Sequence, residues 1–157
     1  MQISARSFVV SEATISALIT AIVAVVVFWS EPASGLPLAA EALHAVRSQG
    51  STILLAAGSA AWCGWVLGQW AIDRAVHGRA SGVAVTLTLL LAIYVVFGVA
   101  SAVFWCVRDW KFEDAIQWFL FGTILAPYYS GLLSLPLAFV SLMLFNRRFI
   151  DGAHIRV

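Results

Sequence analysis

Apolar residues along this chain gather in long runs and do not alternate with polar ones. Four runs stand out, at about residues 8–29, 52–72, 82–105 and 125–145. Each is near the roughly 20 residues that cross about 30 Å of hydrocarbon. Because lipid offers no partner for a free N–H or C=O group, each run is predicted to be an α-helix. The pattern therefore predicts an all-α membrane protein, a four-transmembrane-helix bundle that forms a single domain over residues 1–157.

The last apolar run has an ambiguous length. No charged residue occurs from Ala115 to Phe145, a stretch of 31 residues. As a helix it would be about 46 Å long, too long for one untilted crossing and too short for two. In one interpretation the span begins near residue 125, so that Pro127 lies in the first turn of the helix, where the missing N–H of proline costs nothing. Residues 108–124 would then be interfacial or re-entrant. The other is one long tilted helix kinked at its prolines.

Positive charges near the span ends predict the orientation of the bundle, because basic loops stay in the cytoplasm. The N-terminus, the second loop and the tail carry six arginines, against three basic residues in the first and third loops. Those six are Arg6, Arg74, Arg79, Arg147, Arg148 and Arg156. Both termini are therefore predicted to be cytoplasmic, in a bacterial inner membrane. A short helix from Pro37 to Arg47, with a proline start and a Ser-Gln-Gly stop, is predicted to lie at the outer interface.

Small residues four apart predict where the helices pack, since backbones in lipid approach closely at such positions. They are Ala60, Gly64 and Gly68 in the second span and Gly98 and Ala102 in the third. Whether these ridges meet within one chain or between copies stays open. Trp62 and Trp65 lie mid-span, away from an interfacial belt, and are predicted to fill space between helices.

Composition supports the membrane class. The chain is 62% hydrophobic and 11% charged with a mean hydropathy of +0.94, which leaves too little polar surface for a soluble domain. A net charge of +1 gives no basic surface for nucleic acid. Cys63 and Cys106 are isolated and are interpreted as small apolar fillers. The expected partner is the lipid bilayer.

Glu12 stands at the edge of the first apolar run and has two interpretations. In one, the helix begins near Ala13 with Ser11 as its N-cap, and the carboxylate lies in the first turn near unpaired N–H groups. In the other, the helix begins near Phe8 and the acid lies about one turn inside, facing the bundle or a wet cavity.

Further polar residues share the helix face of Glu12. Ser16 and Thr20 follow it at i+4 and i+8,. A second stripe on the fourth span consists of Ser130, Ser134 and Ser141. The two stripes either border a narrow polar path or proton site, or make interhelical hydrogen bonds worth about 0.6 kcal/mol each. If Glu12 lies inside, Gln69 is the first candidate partner and Arg147 the second.

Tyr128 and Tyr129 form the other candidate site. Their phenols could contact a solute at the outer mouth of the bundle. The alternative is an interfacial tyrosine pair beside a proline break, because tyrosine is common at this depth.

Motifs for catalysis and for cofactors are absent from the sequence. His44, His77 and His154 fall in loops or the tail, so no histidine pair is expected to hold a haem inside the bundle,. No GxSxG, HExxH or phosphate-loop pattern occurs. We therefore expect no enzyme, no metal and no cofactor.

One resemblance adds to this layout. Arg6, Phe8, Glu12 and Ala13 form an RxFxxxEA start that leads into an Ala-rich span, and the stretch at residues 126–128 reads Ala-Pro-Tyr. The chain resembles a set of small uncharacterised four-span bacterial inner-membrane proteins, loosely called permease-like. The resemblance implies the general layout and no established activity.

Two functional hypotheses follow. The first is a small transporter, or a transport-associated membrane subunit, that uses the Glu12 face. The second is a structural or assembly subunit whose small-residue ridges bind a larger membrane complex. Four helices enclose little volume, so transport predicts a homo-oligomer or a membrane-protein partner.

Overall fold

The computed structural model describes residues 4–29, 37–77, 81–109 and 114–151, and within these it is helical and contains no strand. The helices are α1 (Ala5–Trp29), α2 (Leu38–Ser48), α3 (Gly50–Val76), α4 (Gly82–Asp109), α5 (Ala115–Leu120) and α6 (Ala126–Phe145). A π-helical segment, Phe121–Leu125, joins α5 to α6, and a second one, Asn146–Asp151, follows α6. Four segments are long and apolar enough to cross a membrane, namely Ala5–Phe28, Gly50–Ala75, Gly82–Arg108 and Ala115–Phe145. The prediction of four long apolar helices is confirmed.

The first helix begins earlier than the capping interpretation of Glu12 requires. Ser4 is its N-cap residue, since Ser7 N–H donates to Ser4 Oγ at 3.1 Å and Phe8 N–H to the Ser4 carbonyl at 3.0 Å. Ser11 instead lies within the helix and donates its hydroxyl to the Phe8 carbonyl at 2.9 Å. Glu12 is therefore about two turns inside α1, and its interpretation as a first-turn carboxylate is wrong.

The fourth apolar run is one continuous helical segment from Ala115 onward, with no break that sets residues 115–124 apart as a separate piece. Residues 110–113 of the stretch predicted to be interfacial or re-entrant lie outside the described residues. Pro127 has no N–H to donate to the carbonyl of Thr123, four residues earlier. The helix widens into its π-helical segment at this place, which is a common way for a helix to accommodate such a break. The long-helix interpretation is therefore the one the structure supports, and the helix begins at Ala115 instead of near residue 125.

The four long segments form a closed ring in which each packs against its neighbours in sequence. Helix α1 lies beside α3, α3 beside α4, and α4 beside the segment from α5 to α6, which returns to α1. The short helix α2 covers one end of the α1–α3 pair, where Val25, Ala45 and Ile53 form a buried apolar cluster. It occupies the stretch for which the sequence predicts a loop helix; its place at a membrane interface stays a prediction.

Glycines on α3 bring its backbone close to α1. A Cβ atom on Gly64 would lie 3.0 Å from Val10 Cα, and one on Gly68 would lie 3.6 Å from Val9 Cγ1. Ala60, one turn before Gly64, is completely buried. The small-residue ridge of the second span therefore packs within one chain.

A second close contact joins α4 to the fourth segment. A Cβ atom on Gly98 would meet Thr123 Oγ1 and would lie 2.9 Å from the Phe119 carbonyl oxygen, while one on Gly122 would lie 2.5 Å from Gly98 Cα. Ala102, one turn beyond Gly98, is half-buried. The Gly98 position is thus the point of closest backbone approach between these helices, and its partner lies in the π-helical segment.

Trp62 and Trp65 face outward, at 56% and 60% exposure, so the prediction that they fill space between helices is wrong. The small residues of α3 already occupy its inner face, which leaves the rings on the outer one. Arg6 lies across Trp65, with its guanidinium carbon 4.0 Å from the ring centroid and Nη2 donating to the Trp65 carbonyl at 2.6 Å. This contact ties the start of α1 to α3.

The start of α1 and the end of α6 lie at the same end of the bundle, where Phe8 packs against Phe145, and the charge bias predicts that this end faces the cytoplasm. Arg79 and Arg156, which contribute to that bias, lie outside the described residues. A reporter that is active only in the cytoplasm should be active when fused to either terminus. Activity of an exclusively periplasmic reporter at those positions would reverse the orientation.

Substitution of Gly98 by alanine should destabilise the bundle by about 1–3 kcal/mol, because the new methyl group meets backbone atoms that cannot move aside cheaply. Gly58→Ala is the matched control, since a Cβ atom there has open space around it and alanine favours helix. Thermal unfolding in detergent measures both. Equal midpoints for the two variants would show that the Gly98 contact does not hold the helices together.

Candidate binding site: a cavity between the four spans

A cavity of about 230 Å³ lies on the axis of the bundle, and all four long segments contribute to its wall. Along α1 it extends from Phe8 to Phe28, which is about 30 Å of helix. Most of its wall is apolar, with alanine, valine, leucine and phenylalanine side chains. A few polar groups converge on this apolar space, which is the usual composition of a small-molecule site.

Aromatic contacts between α1 and the fourth segment lie at both ends of this cavity. At one end, the rings of Phe28 and Tyr129 have centroids 4.8 Å apart. At the other, Phe8 packs with Phe145 and Phe149, at centroid separations of 6.3 Å and 5.4 Å. Phe8 and Phe145 are both buried. Ring contacts therefore join α1 to the fourth segment at both ends of the cavity.

Glu12 lies in the wall of the cavity near its Phe8 end, half-buried. The hydroxyl of Ser141 on α6 donates to Glu12 Oε2 at 3.2 Å. The hydroxyl oxygens of Ser16 and Ser141 are 3.5 Å apart. The polar stripes of the first and fourth spans thus meet at this level, through a bond between a carboxylate and a serine across the α1–α6 seam.

Thr20 lies one turn beyond Ser16 on the same face, near the middle of α1. It is only 7% exposed and also lines the cavity. Its hydroxyl is buried and has no hydrogen-bond partner among the described residues. A buried hydroxyl in this condition costs stability unless something else bonds it.

A second hydroxyl cluster lies on the opposite wall, between α4 and α6. The Tyr94 hydroxyl donates to Ser134 Oγ at 2.9 Å, and its oxygen lies 2.7 Å from Ser130 Oγ. Ser130 also bonds the Ala126 carbonyl of its own helix. All three hydroxyl-bearing residues line the cavity, so this cluster gives it a second polar wall.

The predicted partners of Glu12 lie elsewhere. Gln69 is exposed and donates from Nε2 to Asp73 Oδ1 at 3.1 Å, one turn along α3. Arg147 is exposed and makes no hydrogen bond to Glu12. Gln69 therefore has no place in a polar path with Glu12, and the prediction that pairs them is wrong. The inner face of α3 consists of small apolar residues, and its amide lies on another face.

The two candidate tyrosines separate in the structure. Tyr129 lines the cavity and packs on Phe28, whereas Tyr128 does not line it, is 77% exposed and packs on the ring of Tyr129 with centroids 5.4 Å apart. Only Tyr129 is therefore placed to contact a molecule in the cavity.

The sequence pattern does not identify two residues at central positions as site residues. It predicts a polar stripe that contains Ser141, but it does not predict the pairing of Ser141 with Glu12. Tyr94 carried a usable signal, because a tyrosine deep inside an apolar span lies away from the interfacial belt and must hydrogen-bond within the bundle.

Comparison of this chain with protein-family models, with curated proteins and with solved structures finds no match in any of the three. The description of the site therefore rests on its own residues.

Removal of the Tyr94 hydroxyl by Tyr94→Phe should destabilise the protein by about 1 kcal/mol, because Ser134 loses its donor inside the bundle. Tyr128→Phe is the matched control, since that phenol is mostly exposed and should change little. Denaturant or thermal unfolding in detergent compares the two. A Tyr94→Phe variant as stable as the Tyr128→Phe variant would show that the hydroxyl cluster contributes no stability.

Proposed function

We propose that the protein is a small permease-like membrane protein, or the transport-associated subunit of one, whose central cavity binds a small solute. The observation that carries the proposal is the position of Glu12, a carboxylate two turns inside a membrane-type helix, in the wall of a cavity that all four spans share. Ionisable groups at such positions are costly, and in membrane proteins they commonly mark a solute or ion pathway. No reaction is part of this proposal.

The α1–α6 seam is the element whose opening would admit a solute. Glycine contacts hold α1 to α3 and α4 to the fourth segment. The contacts across the seam itself are ring contacts and the Glu12–Ser141 bond. Ring contacts and a single hydrogen bond separate more readily than close-packed backbones, so the two tight pairs would move as units about this seam. One chain encloses a small volume, and the proposal includes a second copy or a larger membrane partner.

A structural subunit without transport is the second candidate, and an outward-facing apolar groove favours it. The groove lies between α3 and α4, with Leu54, Gly58 and Trp62 on one side and Val99 on the other. Leu54 and Trp62 are 72% and 56% exposed. In this case the groove would be the functional surface and the cavity would be incidental.

A cavity-filling substitution tests the first candidate against the second. Ala138 lines the cavity on α6, while Val140 on the same helix does not line it and is 51% exposed. We expect proteoliposomes of the wild type and of Val140→Phe to equilibrate one or more of a panel of single-ring aromatic solutes faster than protein-free liposomes do. Ala138→Phe should abolish this flux, because its ring occupies the binding space.

Two results would contradict the transport proposal. One is that no solute of the panel crosses faster than in protein-free liposomes. The other is that the Ala138→Phe and Val140→Phe variants, both folded, give equal flux. Either result would leave the structural subunit as the better candidate.

A further inference from the structure

The charge of the cavity wall restricts what the cavity can bind. Among the described residues that line it, Glu12 is the one with a formally charged side chain, and none is an arginine, lysine or histidine. The rest of the wall is apolar apart from hydroxyl groups. In surroundings of low dielectric constant a charge acts strongly on a ligand. An anion would therefore meet repulsion with no compensating group, whereas a cation would meet attraction.

Glu12 also has hydrogen-bonding capacity to spare. Its carboxylate accepts one hydrogen bond, from Ser141, and has no ion pair among the described residues. An ionised carboxylate offers about four lone-pair sites. The cation on the preceding turns of α1, Arg6, is held by the carbonyl and ring of Trp65. An incoming ammonium group would thus find an acceptor that no described cation of the protein occupies.

Thr20 is the candidate for a second anchor. The residue lines the cavity, and its hydroxyl is buried and lacks a partner among the described residues. A bond to a ligand requires this hydroxyl to turn toward the cavity by rotation about the Cα–Cβ bond. It lies eight residues from Glu12 on the same face of α1, which separates the two by about 12 Å along the helix. The space between them is bordered by the hydroxyl of Ser16, which lies 3.5 Å from that of Ser141, and otherwise by Ala17 and other apolar side chains. A ligand that bonds both groups needs a polar atom at each end and an apolar body between.

We propose that the cavity binds a small organic cation, with its ammonium group at Glu12, its apolar body along α1 and a hydrogen-bonding group at Thr20. This inference rests on the proposed function, whose solute it assigns to a chemical class. The volume fits one aromatic ring with a short chain, because the cavity of about 230 Å³ exceeds an engineered apolar cavity of roughly 150 Å³ that holds benzene.

Four related compounds test the charge requirement on the wild-type protein in nanodiscs, by calorimetric titration against empty nanodiscs. Tyramine carries an ammonium and a phenol, tyrosol replaces the ammonium by a hydroxyl, phenethylamine lacks the phenol, and para-hydroxyphenylacetate is an anion. We expect tyramine to bind about tenfold or more tighter than tyrosol, and the anion to bind weakest. Phenethylamine should bind about threefold to tenfold more weakly than tyramine.

Matched variants assign each preference to its residue. Glu12→Gln should abolish the preference for tyramine over tyrosol, and Asp73→Asn, which removes an acid outside the cavity, should keep it. Thr20→Val should abolish the preference for tyramine over phenethylamine. Thr14→Val, whose hydroxyl bonds the Val10 carbonyl on the same helix, should keep it. If the ammonium group binds Glu12, removing either the ammonium group from the ligand or the carboxylate from the protein should weaken binding by the same factor, and removing both should weaken it no further.

The outcomes separate the two levels of the proposal. If tyrosol binds as tightly as tyramine, or if Glu12→Gln keeps the ammonium preference, the cavity remains a binding site and the assignment to cations is wrong. If none of the four compounds binds in the cavity, the cation assignment fails. The aromatic-solute flux of the proposed function is measured separately, and its presence or absence then decides whether that function fails as well. The comparison of the four compounds on the wild-type protein tests the charge requirement even if a variant does not fold.

Discussion

Close approach of backbones at two glycine positions determines the arrangement of this bundle. Helices in lipid gain little from burying apolar surface, so they associate where dispersion contacts are densest. Gly64 allows α3 to meet α1 at Val10, and Gly98 allows α4 to meet the fourth segment at Gly122. These contacts make two tight helix pairs. The two pairs also pack on each other, α3 against α4 and α1 against α6, and the cavity lies on the axis between them.

The same constraint explains where the polar side chains lie. Polar groups that face lipid need a partner on their own helix, as Thr88 and Thr14 have,. The hydroxyl and carboxylate groups that bond between helices lie on the walls of the axial space, where Glu12 meets Ser141 and where Tyr94 meets Ser130 and Ser134. Thr20 also lines this space, but its buried hydroxyl has no described partner. The chemical character of the site is therefore a result of how the helices pack.

The sequence predicts the parts of this structure that depend on local pattern. Runs of apolar residues identify the four long helices, and spacing by four puts Glu12, Ser16 and Thr20 on one face. What it does not predict depends on the rotation of one helix against another. Gln69 is near Glu12 in depth but on a different face of α3, and Trp62 faces outward because small residues occupy the inner side. Gly122 gave no signal, because the π-helical turn shifts the register that spacing rules assume.

The aromatic contacts at the two ends of the cavity have a consequence for rates. Phe28 with Tyr129 at one end, and Phe8 with Phe145 at the other, join α1 to the fourth segment, and all four rings also line the cavity. If a molecule exchanges between these rings, its association includes a conformational step and is slower than the diffusion limit. Loosening one ring pair would lower the barrier to exchange and would also remove contacts with the bound molecule. The rate of dissociation would then rise by more than the rate of association, so residence time and affinity would fall together.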